Sequence, residues 1–198
     1  PIGSTRGVIR AALERGSGSP EGEAFHLVYS PERVLTGSVF ADLSRYPKLI
    51  GAFSSHAADA AAAFFYSVID FLPRPDLDRE NGVWNLGSPE SAEFAKLAET
   101  TYRDVNIALA NQFALHATDV GVDIYQIIDA CNSQIYSHIH QPGISVGGHC
   151  IPVYPKLYLS TDLSGGVVSA SRSQNELMPR RVISRFLDTI RLEPEEVL

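Results

Sequence analysis

Ser88-Pro89-Glu90-Ser91-Ala92-Glu93-Phe94-Ala95-Lys96-Leu97-Ala98-Glu99-Thr100-Thr101-Tyr102-Arg103-Asp104-Val105-Asn106-Ile107-Ala108 opens the longest regular element in this chain of 198 residues. Ser88 has the side chain of an N-cap, and Pro89 suits the first helical position. Nothing breaks the helical pattern until Gly121, roughly 30 residues on and far beyond the usual three turns. Alanines at 92, 95, 98, 108, 110, 114 and 117, with Leu97, Val105, Ile107, Leu109, Phe113 and Leu115, make the helix apolar nearly all round. Such a helix must be covered on most sides, by its own domain and by a second subunit. Its few polar residues therefore matter. Lys96, Thr100 and Arg103 lie at i, i+4 and i+7 on one face. A lysine there either reaches water or holds a partner. Gly121 suits the C′ position, and Asp123 caps a further helix through Cys131.

The second informative stretch is Gln141-Pro142-Gly143-Ile144-Ser145-Val146-Gly147-Gly148-His149-Cys150-Ile151-Pro152-Val153-Tyr154-Pro155. Three glycines and three prolines forbid an ordinary helix or central strand here. Gly147-Gly148 allows close approach to the backbone. Two readings of Cys150 stand side by side. It is a small buried apolar residue with His149 as a hydrogen-bonded neighbour, or a thiol presented on a rigid loop for nucleophilic chemistry.

Around these two stretches the pattern is coarser. Thr5 to Arg15 reads as a helix burying Val8, Ile9, Ala12 and Leu13, closed by turn formers from Gly16 to Pro20. Phe25 to Tyr29 and Leu49 to Phe53 are short strand candidates, with Ser30 to Val34 a loop in which Glu32 and Arg33 form a solvated pair. His56 to Asp70 is an alanine-rich helix, residues 73–82 are polar and turn-rich, and Trp84 to Leu86 is extended. After the glycine loop, Lys156 to Leu163 is helical and Gly165-Gly166 breaks it. A last helix runs from Val168 to Ile190, kinked or divided at Pro179. The tail Glu193 to Leu198 carries no closing signal.

The totals restrict the function classes. Hydrophobic residues make up 44% and charged residues 20%, enough for a core in one domain or slightly more. A net charge of −7 argues against binding DNA, RNA or anionic lipid through a basic surface. No apolar run approaches a membrane span, and no signal-peptide pattern opens the chain. Two cysteines imply no disulfide framework, and a cytoplasmic protein with reduced thiols is expected.

Several stretches together resemble the nucleotide-sugar 6-dehydrogenase family, the UDP-glucose, GDP-mannose and UDP-N-acetylmannosamine dehydrogenases. The loop is similar to that family's G-x-G-V-G-G-H-C-I-P-V-D-P signature, and Ser30-Pro31-Glu32-Arg33-Val34 to its S-P-E-R-V. Glu93 to Ala108 resembles its E-x-x-K-L-x-E-N-x-x-R-D-V-N-I-A helix. Asn175-Glu176-Leu177-Met178-Pro179 resembles its N-D-x-M-P hinge.

The resemblance implies a mainly α fold of the 6-phosphogluconate-dehydrogenase-like kind, a helical dimerisation domain around one long central helix with a short α/β remnant at the N-terminus. The implied division is 1–86 for the remnant of a dinucleotide-binding domain, 87–170 for the central domain and 171–198 for a hinge helix leading to a third domain. It also implies a homodimer through the helix 89–120 and a nucleotide-sugar substrate. NAD is implied as cofactor, although no G-x-G-x-x-G occurs in the sequence; no metal is implied. By the same analogy Cys150 attacks the aldehyde formed in the first oxidation and Lys96 stabilises the oxyanion. Thr100, Tyr154 and His149 complete the implied catalytic set, and Glu32, Arg33, Val34, Gly143, Ser145, Gly147 and Gly148 the substrate-binding set.

The departures cluster at the chemistry. The family's aspartate four residues after the cysteine is Tyr154, which is neutral at pH 7 and cannot act as a carboxylate base. The family's asparagine after the lysine is Thr100, the loop's second glycine is Ser145, and the later N-E pair is Asn111-Gln112. Three readings follow. The chain is the middle portion of a divergent NAD-dependent nucleotide-sugar dehydrogenase. Alternatively it is a stand-alone descendant turned to isomerisation, elimination, cyclisation or hydrolysis of a sugar- or nucleoside-like substrate, with acid–base roles on His149, Tyr154, Glu32 or Lys96. In the third reading it is a non-catalytic dimerisation or binding module.

Overall fold

The structure, a computed structural model, describes residues 1–191. The expected tail and the end of the expected hinge segment lie outside them. The chain forms two compact units, Pro1–Leu97 and a second from Ala98 onward, and is mainly helical.

The first unit opens with a π-helical turn, Thr5–Ile9, that runs into α1 (Arg10–Ser17), and Gly18 ends it at φ 71°. Val8, Ile9 and Leu13 are exposed, so the apolar face expected to be buried is not. The residues are spaced for helix, but no described element covers that side. A three-stranded sheet follows, β1 (Val28–Tyr29), β2 (Lys48–Ala52) and β3 (Val83–Asn85), in the order β1-β2-β3. β1 is antiparallel to β2, and β3 is parallel to it. The second expected strand is thus the centre of the sheet rather than an edge, which explains its buried run Leu49, Ile50, Gly51 and Ala52.

α2 (Val39–Arg45) has no counterpart in the periodicity reading, whereas α3 (Ser55–Val68) occupies the expected alanine-rich segment. Ser54 caps α3 by accepting from the Ala57 amide. Its alanines let the helix sit close on the sheet, and Ile50, Ala52, Ala57 and Ala58 form the core with Phe65 and Val83 against them. Asn81 closes the polar segment by donating to the carbonyls of Ser44, Arg45 and Leu72.

α4 (Pro89–Val120) is a single helix of 32 residues. Ser88 Oγ accepts from the Ser91 amide at its start, and Gly121 leaves it at φ 72°. In the second unit α5 (Ile124–Asn132) is capped by Asp123. α6 (Tyr154–Leu159) starts and ends earlier than expected, because Pro155 can occupy its first turn. α7 (Gly166–Arg191) continues through Pro179 instead of dividing there.

Candidate functional site

The glycine loop is irregular, and Cys150 is exposed on it. The reading of this thiol as a buried residue is therefore wrong: the prolines and glycines hold the loop out of the core. Immediately after Cys150 the chain turns, with the Val153 and Tyr154 amides donating to the Cys150 carbonyl at 3.2 and 2.9 Å. That turn returns the Tyr154 ring to the thiol. Burial and the hydrogen bond with Cys150 push the Tyr154 phenol above its ordinary pKa, so it stays protonated and donates to the sulfur. His149, Gly143, Ser145, Gly147 and Gly148 are exposed on the same loop, and Gly148 takes φ 89°. Among the described residues no group of histidine, cysteine and carboxylate side chains could hold a metal ion.

The approach to the loop is held by three asparagines. Asn106 on α4 accepts from the His140 amide at 2.9 Å and donates to the His138 carbonyl at 2.7 Å. Asn132 exchanges both hydrogen bonds with the Ile139 backbone, at 2.9 and 2.8 Å. Asn111 accepts from the Gly143 amide at 2.8 Å. Side-chain amides thus do for residues 138–143 what a neighbouring strand would do.

Behind Asn111 lies a buried polar chain. Asn111 donates to Asn175 at 2.9 Å, and Asn175 donates to the Asp104 carboxylate at 2.9 Å and to its carbonyl at 3.0 Å. Arg172 donates to the same carboxylate at 2.6 Å. Burial raises the Asp104 pKa, and Arg172 and Asn175 act against that rise. Beyond the loop, Lys156 on α6 pairs with Glu176 on α7 at 3.0 Å.

The remaining expected site residues, Glu32, Arg33, Val34 and Lys96, belong to the first unit. Glu32 is exposed and Arg33 half-buried. Glu32 accepts from Lys48 and from the Arg33 amide, each at 2.8 Å, while Arg33 reaches the Pro47 carbonyl and the Tyr46 ring. Burial works to raise Glu32, but Lys48 and the Arg33 and Val34 amides overcome it and hold the carboxyl below its ordinary value. Lys96 is half-buried on α4, and Thr100, one turn on and already in the second unit, is buried. One turn before Lys96, buried Glu93 accepts from the Gly3 and Thr5 amides and the Thr5 hydroxyl at 2.5, 2.8 and 2.7 Å. A carboxylate is well placed there, against the free N–H groups of a helical start.

Residues 90–175 match the central domain of the UDP-glucose/GDP-mannose dehydrogenase family. A UDP-N-acetyl-D-mannosamine dehydrogenase of Pyrococcus horikoshii is 37% identical over 202 aligned positions, taking in 100% of this chain and 46% of that one. A solved structure of a UDP-D-ManNAc dehydrogenase from that organism superposes with a TM-score of 0.86 at 34% identity, over 96% of this chain and 43% of the other. Residues 90–175 are a central domain of the UDP-glucose/GDP-mannose dehydrogenase family. An NDP-N-acetyl-D-galactosaminuronic acid dehydrogenase of Methanosarcina mazei superposes with a TM-score of 0.81 at 25% identity, over 97% of this chain and 42% of that one. The chain spans less than half the length of these relatives.

Within this family the group that takes hydride is a dinucleotide, and the turn from β2 into α3 does not build a cradle for it. The turn from β2 into α3 is Phe53-Ser54 rather than a glycine-rich loop, and the Ser54 side chain itself fills the helix start.

Sequence reasoning singled out the thiol and the lysine of the family signature but passed over Glu93, Asp104, Asn106, Asn111, Asn132, Arg172 and Asn175 as site-building residues. One signal was readable: Asp104 and Asn111 are seven residues apart on one face of an otherwise apolar helix. Their partners on α7 could not be read from that spacing.

Proposed function

We propose that this chain is the central portion of an NAD-dependent nucleotide-sugar 6-dehydrogenase, an oxidoreductase converting the CH–OH of an NDP-sugar to a uronic acid. The names of its relatives suggest a 2-acetamido sugar as substrate. The observation that carries this reading is the exposed Cys150 thiol, on a loop pinned at its start by asparagines, in a chain with this family's central domain. In the proposed chemistry the Cys150 sulfur attacks the aldehyde carbon and the carbonyl electron pair moves onto oxygen. Lys96 brings a fixed positive charge to that oxyanion and Thr100 a hydroxyl. Tyr154 holds the sulfur by its phenol, and His149 is free to serve as an acid–base group beside it. Glu32, Arg33, Val34, Gly143, Ser145, Gly147 and Gly148 would line the nucleotide-sugar site.

The proposal extends to organisation. Residues 1–86 would belong with a dinucleotide-binding domain, 87–170 form the central domain, and 171–198 lead away from it. Exposed Phe94, Tyr102, Leu109, Phe113 and Val120 form a stripe along α4 that supports a homodimer through 89–120. No helix among the described residues is long and apolar enough to cross a membrane, and a cytoplasmic location is part of the reading. The test is NADH formation by the native protein with UDP-N-acetylmannosamine, UDP-glucose and GDP-mannose. One substrate should turn over, and Cys150→Ser should abolish uronate formation. No NADH with any of them, together with no adduct on Cys150 from the sugar aldehyde, would remove the proposal.

A further inference from the structure

The native loop requires something to fix its position, because most of its residues are exposed and it has no ladder of its own. We propose that the buried chain Asp104–Arg172–Asn175–Asn111 is the positioning device of the Cys150 loop, so that α7 sets where the thiol stands. The inference rests on Cys150 being the working thiol.

Four observations lead to it. The Gly143 amide is bonded to Asn111 Oδ1 at 2.8 Å although Gly143 itself is exposed. Asn111 is fully buried, so this bond is made on the dry side of the loop. An asparagine amide can rotate to swap oxygen and nitrogen, and here its orientation is fixed by its second bond, Nδ2 to Asn175 Oδ1 at 2.9 Å. Asn175 is fixed in turn, because both bonds of its Nδ2 go to Asp104, whose charge is held by Arg172. Every bond of the chain pairs a donor with an acceptor, from the guanidinium to the loop backbone, while Arg172 Nε and Asp104 Oδ2 are buried without a hydrogen-bond partner among the described residues. Reversing any amide would set two like groups against each other in a buried site. Arg172 also approaches Glu176 at 3.9 Å, and Glu176 holds Lys156 just past Cys150. One helix thus reaches both ends of the loop.

These are positioning residues: none is placed at the reacting atoms, and each acts through the loop backbone. A polar chain of this kind gives up little stability relative to an apolar core while specifying one geometry, which is what a nucleophile needs.

Hydrogen exchange of the native protein tests the proposal without a variant. The Gly143 amide should be protected by about 100-fold relative to Gly147 and Gly148, whose amides have no partner among the described residues. Exchange at Gly143 as fast as at Gly147 would overturn the idea. Asn111→Leu and Asn175→Leu extend the test. Both should speed exchange of the Gly143 amide by about 5-fold or more, roughly one hydrogen bond's worth. Asn175→Leu touches no loop atom, so an effect from Asn111→Leu alone would refute the relay. Ile128→Ala, a fully buried site of the same unit outside the chain of bonds, serves as a control of similar destabilisation. If it loosens the loop equally, the role is merely structural and the proposal falls. In the dehydrogenase assay the two asparagine variants should lower kcat and leave KM within about twofold. Failure of the NADH assay with intact Gly143 protection would count against the proposed reaction and not against the positioning device.

Discussion

Arg172→Met is the sharpest perturbation of the second unit. Asp104 is 0% exposed and Arg172 6%, and they meet at 2.6 Å. Removing one partner of a buried pair costs about 3–5 kcal/mol, because the other charge is stranded. Asn175 still donates to the Asp104 carboxylate at 2.9 Å, which places the expected loss at pH 7 near the lower end, about 3 kcal/mol. For a chain of 198 residues that is a fall in Tm of roughly 6–12 °C. The pH dependence gives a second handle. Burial holds the folded-state pKa of Asp104 above its unfolded value, so the folded state takes up this proton first as pH falls. The penalty of the charged form is present above the folded pKa and disappears as pH drops through it toward the unfolded value. Arg172 opposes the rise, so losing it moves the folded pKa further up. The deficit of the variant should therefore shrink on acidification, by at most about 1.4 kcal/mol per pH unit below its new pKa. The double variant Asp104→Asn/Arg172→Met keeps an acceptor for Asn175 and strands no charge, and should lie within about 1.5 kcal/mol of the parent. Urea unfolding near pH 7 and pH 5 measures all three. A loss under about 1 kcal/mol, an equal loss at both pH values, or a double variant as unstable as the single would refute the reasoning.

Other expectations concern separate parts of the molecule. A Cβ at Gly51 would stand 2.1 Å from the Ser88 carbonyl oxygen and 2.9 Å from the Pro89 Cα, both backbone atoms, so Gly51→Ala should cost about 3 kcal/mol or more in thermal or chemical unfolding. The hydrogen bond from Arg6 draws Glu90 down to about 2, so the stabilisation from this pair is fully present above the ordinary carboxylate value of 4.5 and is lost as pH falls from there to about 2. Because the pair is partly exposed, Glu90→Gln should remove under about 1 kcal/mol, and less in high salt. Tyr154, protonated at neutral pH, cannot take a proton from water, so a covalent acyl group on Cys150 should accumulate during turnover and be visible by intact mass. Tyr154→Asp should diminish that adduct and raise the rate of uronate release by about 10-fold or more, and an unchanged rate would show that another group supplies the base.

What was legible in the sequence is what depends on local order. Ser88, Pro89 and Gly121 marked both ends of α4 because capping chemistry is written within a few residues of the cap, and Asp123 marked α5 for the same reason. Alanine spacing found α3 and the short apolar run from Leu49 to Phe53 found β2, although the order that puts β2 at the centre depends on pairing across 35 positions, as from Leu49 to Trp84, and could not be read from either strand alone. α2 was missed because Val39 to Arg45 is short, with Val39 and Phe40 exposed and therefore no apolar stripe of useful length. At the site, the glycines and prolines correctly announced a loop that presents Cys150, while the contacts of Glu32 with Lys48 and of Arg33 with Pro47 lie 16 and 14 positions away and carry no local signal.

The asparagines show why polar architecture is harder to read than apolar architecture. An apolar residue needs only a face, and periodicity reports faces. An asparagine buried in a helix needs particular atoms, and those atoms can come from anywhere in the chain. Asn111 finds Gly143 and Asn175, 32 and 64 positions away. A buried polar side chain without such partners would cost about 1–3 kcal/mol, so its presence on an apolar helix already says that partners exist, without saying which. The same physics that hides these contacts from the sequence makes them specific in the structure. Apolar packing alone would let a loop of this composition settle in several positions of similar energy, whereas the alternation of donors and acceptors from Arg172 to Gly143 admits one. The thiol at 150 owes its exposure to the glycines and prolines around it, and its fixed place to residues on two helices remote from it in sequence.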